Sequence, residues 1–262
     1  MTAYEFMRAG QFQKATAPLE QAYRAKPLGE QPRSLVLNHA MLDVMQKINA
    51  MRAVKDLREY MRMHPEPDEL VVNLLGAALQ TSAKTPRVIQ TDLFQNAVKQ
   101  LEQGVAALEQ TRPGEHKWGN KWYNEVGFHD IRMKLDESLA RLRTEQDDAD
   151  RLKGDWQAAL AEVQRYNTLN MGTVHVHRDP NDAWSCPICY QIRINEQRRQ
   201  TAMSRATAAE GRYKAQQLIA DRAKADVPQP DWMMDFTPID PAAPGPASIL
   251  APNAGPNTLP RP

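Results

Sequence analysis

Cysteine is scarce in this chain, neither sign of charge is in surplus, and long apolar runs are missing. Two cysteines in 262 residues cannot build a disulfide framework. Standing two residues apart, as Cys186 and Cys189, they point to metal or redox chemistry. The 33 basic and 32 acidic side chains leave a net charge of +1. That balance gives no electrostatic reason to expect a nucleic acid or an anionic membrane as partner. No stretch approaches the roughly 18 apolar residues a membrane span requires. The N-terminus also lacks the basic-then-apolar order of a secretory leader. The expected compartment is cytoplasmic. The chain begins part-way into a helical unit, however, and a lost start would take any leader with it. Aromatic residues are sparse at 6%.

Apolar residues still make up 42% of the chain, enough for a sizeable core. Ala, Gln, Leu, Arg and Glu dominate, which is helix-forming stock, so the expected class is mainly α. Over residues 1–112 a spacing repeats. Ala15, Leu19, Ala22 and Pro27 recur as Ala53, Leu57, Tyr60 and Pro65, and more weakly as Ala97, Leu101 and Gly104. Ahead of the second copy stand Leu37, Ala40, Met41 and Val44. Ahead of the third stand Val72, Leu75, Gly76 and Leu79, while the first is served only by Ala3 and Phe6. This pattern resembles the tetratricopeptide repeat, where small residues let two helices approach and a proline ends the unit. The resemblance covers about 110 residues, roughly 40% of the chain. It implies a short array of stacked helix pairs that binds a protein or peptide segment. An array beginning in mid-unit leaves an end face uncovered, to be covered by an upstream segment or by another chain.

Residues 113–124 hold Pro113-Gly114 and Gly119-Asn120, which break helices and mark a junction. Its Trp118 and Trp122 are expected to plug the space between the array and the next helix. From 125 to 169 the chain reads as one long helix. Phe128, Leu135, Leu142, Ala149, Trp156 and Val163 recur every seven residues, the sign of a coiled coil. Ile131, Leu152, Ala159 and Tyr166 supply a second stripe, interrupted by Ser138 and Glu145. Residues 191–225 form a return helix with Ala202, Ala206, Ala209, Tyr213, Ala220 and Ala223 near one face. The expected architecture is an antiparallel hairpin of these two helices, with self-association of the first helix in a homodimer as the alternative.

Between them, residues 170–190 contain His175, His177, Cys186 and Cys189. Two cysteines two apart form half of a structural zinc site, since a tight turn aims both sulfurs at one point. Val174 and Val176 alternate with the histidines, so a short strand would set both imidazoles on one face. Cys186, Cys189, His175 and His177 together are the candidate ligands of one structural zinc in a ribbon-like turn. The stretch Cys186-Pro187-Ile188-Cys189 at a hairpin apex also resembles the zinc hook of long coiled-coil DNA-repair ATPases. That resemblance implies a zinc shared by two chains. The phosphate-binding loop of those ATPases is absent. A pair of reduced thiols in a polar loop, or a redox pair, stands beside both zinc readings.

Residues 226–262 turn rich in Pro, Ala, Gly and Asn, and are expected to form a disordered tail. Within it Trp232, Met233 and Phe236 make an apolar island, a candidate partner-binding motif that could also fold back on the chain's own repeats. No nucleophile and base, paired carboxylates or open metal site can be assembled with a known spacing, so no enzyme is expected. The sequence reads as a non-catalytic scaffold or adaptor, or else as a structural coiled-coil oligomer joined through the cysteine motif.

Overall fold

The structure is a computed structural model, and it describes residues 2–170, 186–233 and 235–242. It is mainly helical and falls into two compact units, Met1–Val126 with Pro230–Pro262, and Gly127–Gln229. Among the described residues no helix is long and apolar enough to cross a membrane.

The first unit opens with α1 (Ala3–Arg8), α2 (Phe12–Arg24), α3 (Arg33–Gln46) and α4 (Ala50–Met63). It continues with α5 (Glu69–Ser82), the short α6 (Pro86–Ile89) and α7 (Asp92–Gln110). Local sequence sets several of these boundaries. Thr2 and Glu5 close a capping box at the start of α1. The Asp68 carboxylate accepts the N–H groups of Leu70 and Val71, and Thr91 accepts that of Phe94, so α5 and α7 each begin on a satisfied cap. From α1 to α5 each helix packs on the next, and α3 also meets α5, as α5 meets α7.

Burial separates inner from outer helices. On α3 and α5 nearly every side chain from Val36 to Val44, and from Val71 to Leu79, is buried. A helix covered all round is a central one. By contrast α4 buries one stripe, Ala53, Val54, Leu57 and Tyr60, and α7 another, Ala97, Leu101, Gly104 and Leu108. They include the helical positions of the recurring spacing, and on α2 Ala15 and Leu19 are buried as well. Ala22 stays exposed, and its neighbour Tyr23 turns inward to stack on His39, ring centroids 3.8 Å apart.

The tryptophan junction is more ordered than a loop. Strands β1 (Glu115–Trp118) and β2 (Lys121–Asn124) pair antiparallel around Gly119-Asn120, and the left-handed φ of +64° at Gly119 permits the two-residue turn. The Lys117 side chain is fully buried. Its Nζ lies 3.1 Å from a Glu69 oxygen, which also accepts Trp122 Nε1–H at 2.6 Å, so the buried ammonium is paired.

The second unit holds most of α8 (Glu125–Asn170) and all of α9 (Pro187–Ala225). The less exposed side chains of α8 include both stripes of the sequence, with Ser138 and Glu145 in line rather than breaking them. Glu145 accepts a 2.6 Å hydrogen bond from Gln216, so this seam residue is polar because its partner is polar. On α9 the buried residues are Asn195, Ala202, Ala206, Ala209, Ala220 and Ala223. Trp156 stacks on Tyr213 at 5.7 Å, Glu162 lies 3.9 Å from Arg205, and Arg141 lies 3.7 Å from Asp226.

The near part of the tail packs on the first unit. Its composition argues against order over residues 227–242, yet Trp232 and Phe236 belong to the buried core of the first unit, with Ile239 packed against it. Met234 and residues from 243 onward lie outside the described residues.

Candidate functional site

The face of the first unit that carries α3 and α5 holds the segment Pro230–Ile239. Gly76 makes room for Trp232: a Cβ added there would stand 2.2 Å from the indole. Gln80 Oε1 accepts the Trp232 N–H at 3.0 Å. Asn38 makes a two-way bond with Ile239, donating Nδ2–H to its carbonyl and accepting its N–H, both at 2.8 Å. At the hairpin turn the Asn120 N–H donates to the Asp231 carbonyl at 2.9 Å, and its side-chain amide donates to the Met233 carbonyl. Trp232 and Phe236 are 8% and 9% exposed, while Met233 is 37% exposed. The candidate partner motif is therefore seated on its own chain, and of its three residues only Met233 faces out. Sequence reasoning finds the apolar island but misses Asn38, Gln80 and Asn120. A side-chain amide carries no spacing signal, and its role shows only once the segment lies across it.

A largely buried polar network joins the first two helix pairs. The Arg52 guanidinium grips both oxygens of Asp43, at 2.7 and 2.6 Å, and both oxygens of Glu20 at 3.0 Å. His39, 2% exposed, meets Glu20 at 2.9 Å. The hydrogen bond from His39, with help from Arg24 and Arg52, holds the Glu20 carboxyl down at about 2. Burial pushes Asp56 up, and burial followed by the facing Asp56 pushes Tyr23 up. These shifts fix a sign. A carboxyl held below its ordinary 4.5 contributes stability in full above that value and loses it as pH falls towards about 2. A raised Asp56 runs the other way, contributing at low pH and losing that contribution as pH rises through its folded value. The expected result is that Glu20→Gln melts lower than the parent at neutral pH and shows a flatter loss of Tm between pH 4.5 and 2. Parallel acid limbs in the two proteins would refute the assignment.

Of the four candidate zinc ligands, His175 and His177 lie outside the described residues. Cys186 and Cys189 are thiols at the start of α9, where Cys186 is the N-cap. The Cys189 backbone N–H, then that of Ile188, holds the Cys186 thiol below the ordinary value. Burial and the neighbouring Cys186 raise Cys189. Arg193, one turn on, favours the ionised form of both thiols. Two thiols gathered at one helix start fit half of a tetrahedral zinc shell. Among the described residues no three His, Cys, Asp or Glu side chains converge on a metal position. Any further ligands would come from residues 171–185 or from another chain.

No family model matches this chain, and no curated protein or solved structure matches it either.

Proposed function

We propose that the chain is a non-catalytic scaffold or adaptor. In this reading the first unit is a short tetratricopeptide-like array that binds a protein segment. The two long helices form an antiparallel coiled-coil hairpin, and a structural zinc on Cys186 and Cys189 stabilises its tip. The observation that carries the binding role is the seating of Pro230–Ile239. A segment whose described residues form no helix or strand is held on α3 and α5 by side-chain amides that bond to its main chain. Hydrogen bonds to the main chain hold a peptide whatever its side chains, and pockets for the side chains add specificity. The hairpin is supported by contacts that join early residues of α8 to the end of α9, as in Arg141 with the capping Asp226, and later residues of α8 to earlier ones of α9, as in Glu162 with Arg205.

The binding role is tested with the immobilised full chain and its Asn38→Ala/Gln80→Ala variant. A specific protein retained by the parent and lost by a variant that keeps its helical spectrum supports the reading. Identical retention by both sinks it. Zinc has its own test, elemental analysis of the purified protein with its mass in solution before and after chelator. About one zinc per monomer points to a site closed within the chain, with His175 and His177. About half a zinc per chain in a chelator-sensitive dimer points to a shared hook. Cys186→Ser should lose the metal and lower Tm, because structural zinc contributes folding energy directly. Unchanged zinc content and Tm would remove zinc from the proposal.

A further inference from the structure

The segment Pro230–Ile239 is bound in the manner of a ligand. Its described residues form no helix or strand, and the hydrogen bonds that hold it on the repeats and the hairpin engage its own main chain. The partners are Asn38, Gln80 and Asn120, none of which reads the identity of the residue it bonds. Specificity rests on apolar anchors at i, i+4 and i+7, namely Trp232, Phe236 and Ile239. Between the anchors, Met233, Asp235 and Thr237 face outward. Two glycines of the receiving surface fit this occupant. Gly76 leaves the notch for the indole, and a Cβ at Gly119 would stand 2.2 Å from the Asp231 carbonyl oxygen. The segment joins the second unit through Val227-Pro-Gln-Pro230. There the prolines have no N–H to lose and are already biased to extended backbone, so release and return cost little local structure.

We infer that Pro230–Ile239 is a displaceable ligand in cis that closes the repeat face. The face takes in its place a peptide with bulky apolar side chains at i, i+4 and i+7. This rests on the reading of the first unit as a peptide-binding array, and adds what the peptide looks like and what competes with it. Tethering gives the internal segment an effective concentration on the order of millimolar, so a free peptide of equal intrinsic affinity is disfavoured about 100-fold or more. A partner then binds when it carries better anchors, or when the tether is removed.

The test uses the full chain with a specific protease site inserted between Gln229 and Pro230, folded intact and then cut. The probe is a fluorescent synthetic peptide of residues 229–241. The cut protein should exchange its segment for the probe with Kd on the order of micromolar. The uncut protein should bind at least about 100-fold more weakly. A probe carrying Trp232→Ala and Phe236→Ala should not bind. Gly76→Ala in the cut chain is the second variant. Alanine favours the helix but fills the notch, so this protein should keep its helical spectrum and fail to take up the probe. Three results would overturn the inference: a cut protein that keeps its segment against excess probe, one that unfolds on losing it, or equal binding by cut and uncut chains. The scaffold reading is judged separately. A cellular partner retained regardless of the segment would leave that reading standing while this inference falls. Exchange of the probe without any cellular partner would do the reverse.

Discussion

Replacing Ala202 and Ala209 together by leucine is expected to lower the melting temperature of the long-helix unit, although leucine is the more apolar side chain. Both alanines lie on the seam of α9, at 1% and 3% exposure. In the proposed hairpin the opposite helix covers these methyl groups and approaches closely. In that arrangement an isobutyl group would have no space and would push the helices apart. Overpacking of this kind costs about 1–3 kcal/mol per site. For a unit of this size the double variant should therefore lose roughly 10 °C or more in Tm. The loss is read from the helical signal on heating, together with the mass in solution. The competing architecture, α8 paired with its copy in a dimer, makes the opposite forecast. There α9 would flank a looser seam, and leucine would add apolar burial and raise Tm. A rise would remove the close antiparallel hairpin from the proposal.

The seam illustrates what the sequence could disclose. Phe128, Leu135, Leu142, Ala149, Trp156 and Val163 announce the less exposed line of α8 because a heptad repeats the same contact six times. The inner helices are legible for a related reason: Leu37, Ala40, Met41 and Val44, and Leu75, Gly76 and Leu79, keep helical spacing and are all buried. What cannot be read is whatever depends on one contact between distant parts of the chain. Composition alone assigns Trp232 to a disordered tail, because the sequence does not show that Gly76, so far back in the chain, leaves a notch for an indole. Gly76 itself reads as a small residue for helix packing, and its actual neighbour comes from near the far end of the chain. Nothing in the sequence likewise shows where Lys117 turns. Only the β-hairpin shows its ammonium turned inward onto Glu69. The polar network on α2, α3 and α4 gives no signal at all, since Glu20, Asp43 and Arg52 follow no shared spacing.

That network carries the remaining large effect. Arg52→Met keeps most of the side chain's apolar stem and removes its charge. The Asp43 side chain, 5% exposed, then loses both of its hydrogen bonds from the guanidinium, and Glu20 keeps only His39 and Arg24. Asp56 stands nearby with burial already opposing its ionised form. Breaking a fully buried pair costs about 3–5 kcal/mol, because the surviving charge is left without compensation. Arg52 is 34% exposed, so water relieves part of that cost, and about 2–3 kcal/mol is the better expectation. For a unit of this size the shift is roughly 5–10 °C in Tm. Two companion variants identify the cause. Adding Asp43→Asn removes the stranded charge and should recover a good part of the loss, a coupling that a double-mutant cycle measures directly. Arg52→Lys should recover less, since an ammonium cannot grip two carboxylates with a planar fork. If Asp43→Asn brought no recovery in the Arg52→Met background, the loss would come from packing of the arginine stem, and the network would be a consequence of the fold rather than one of its supports.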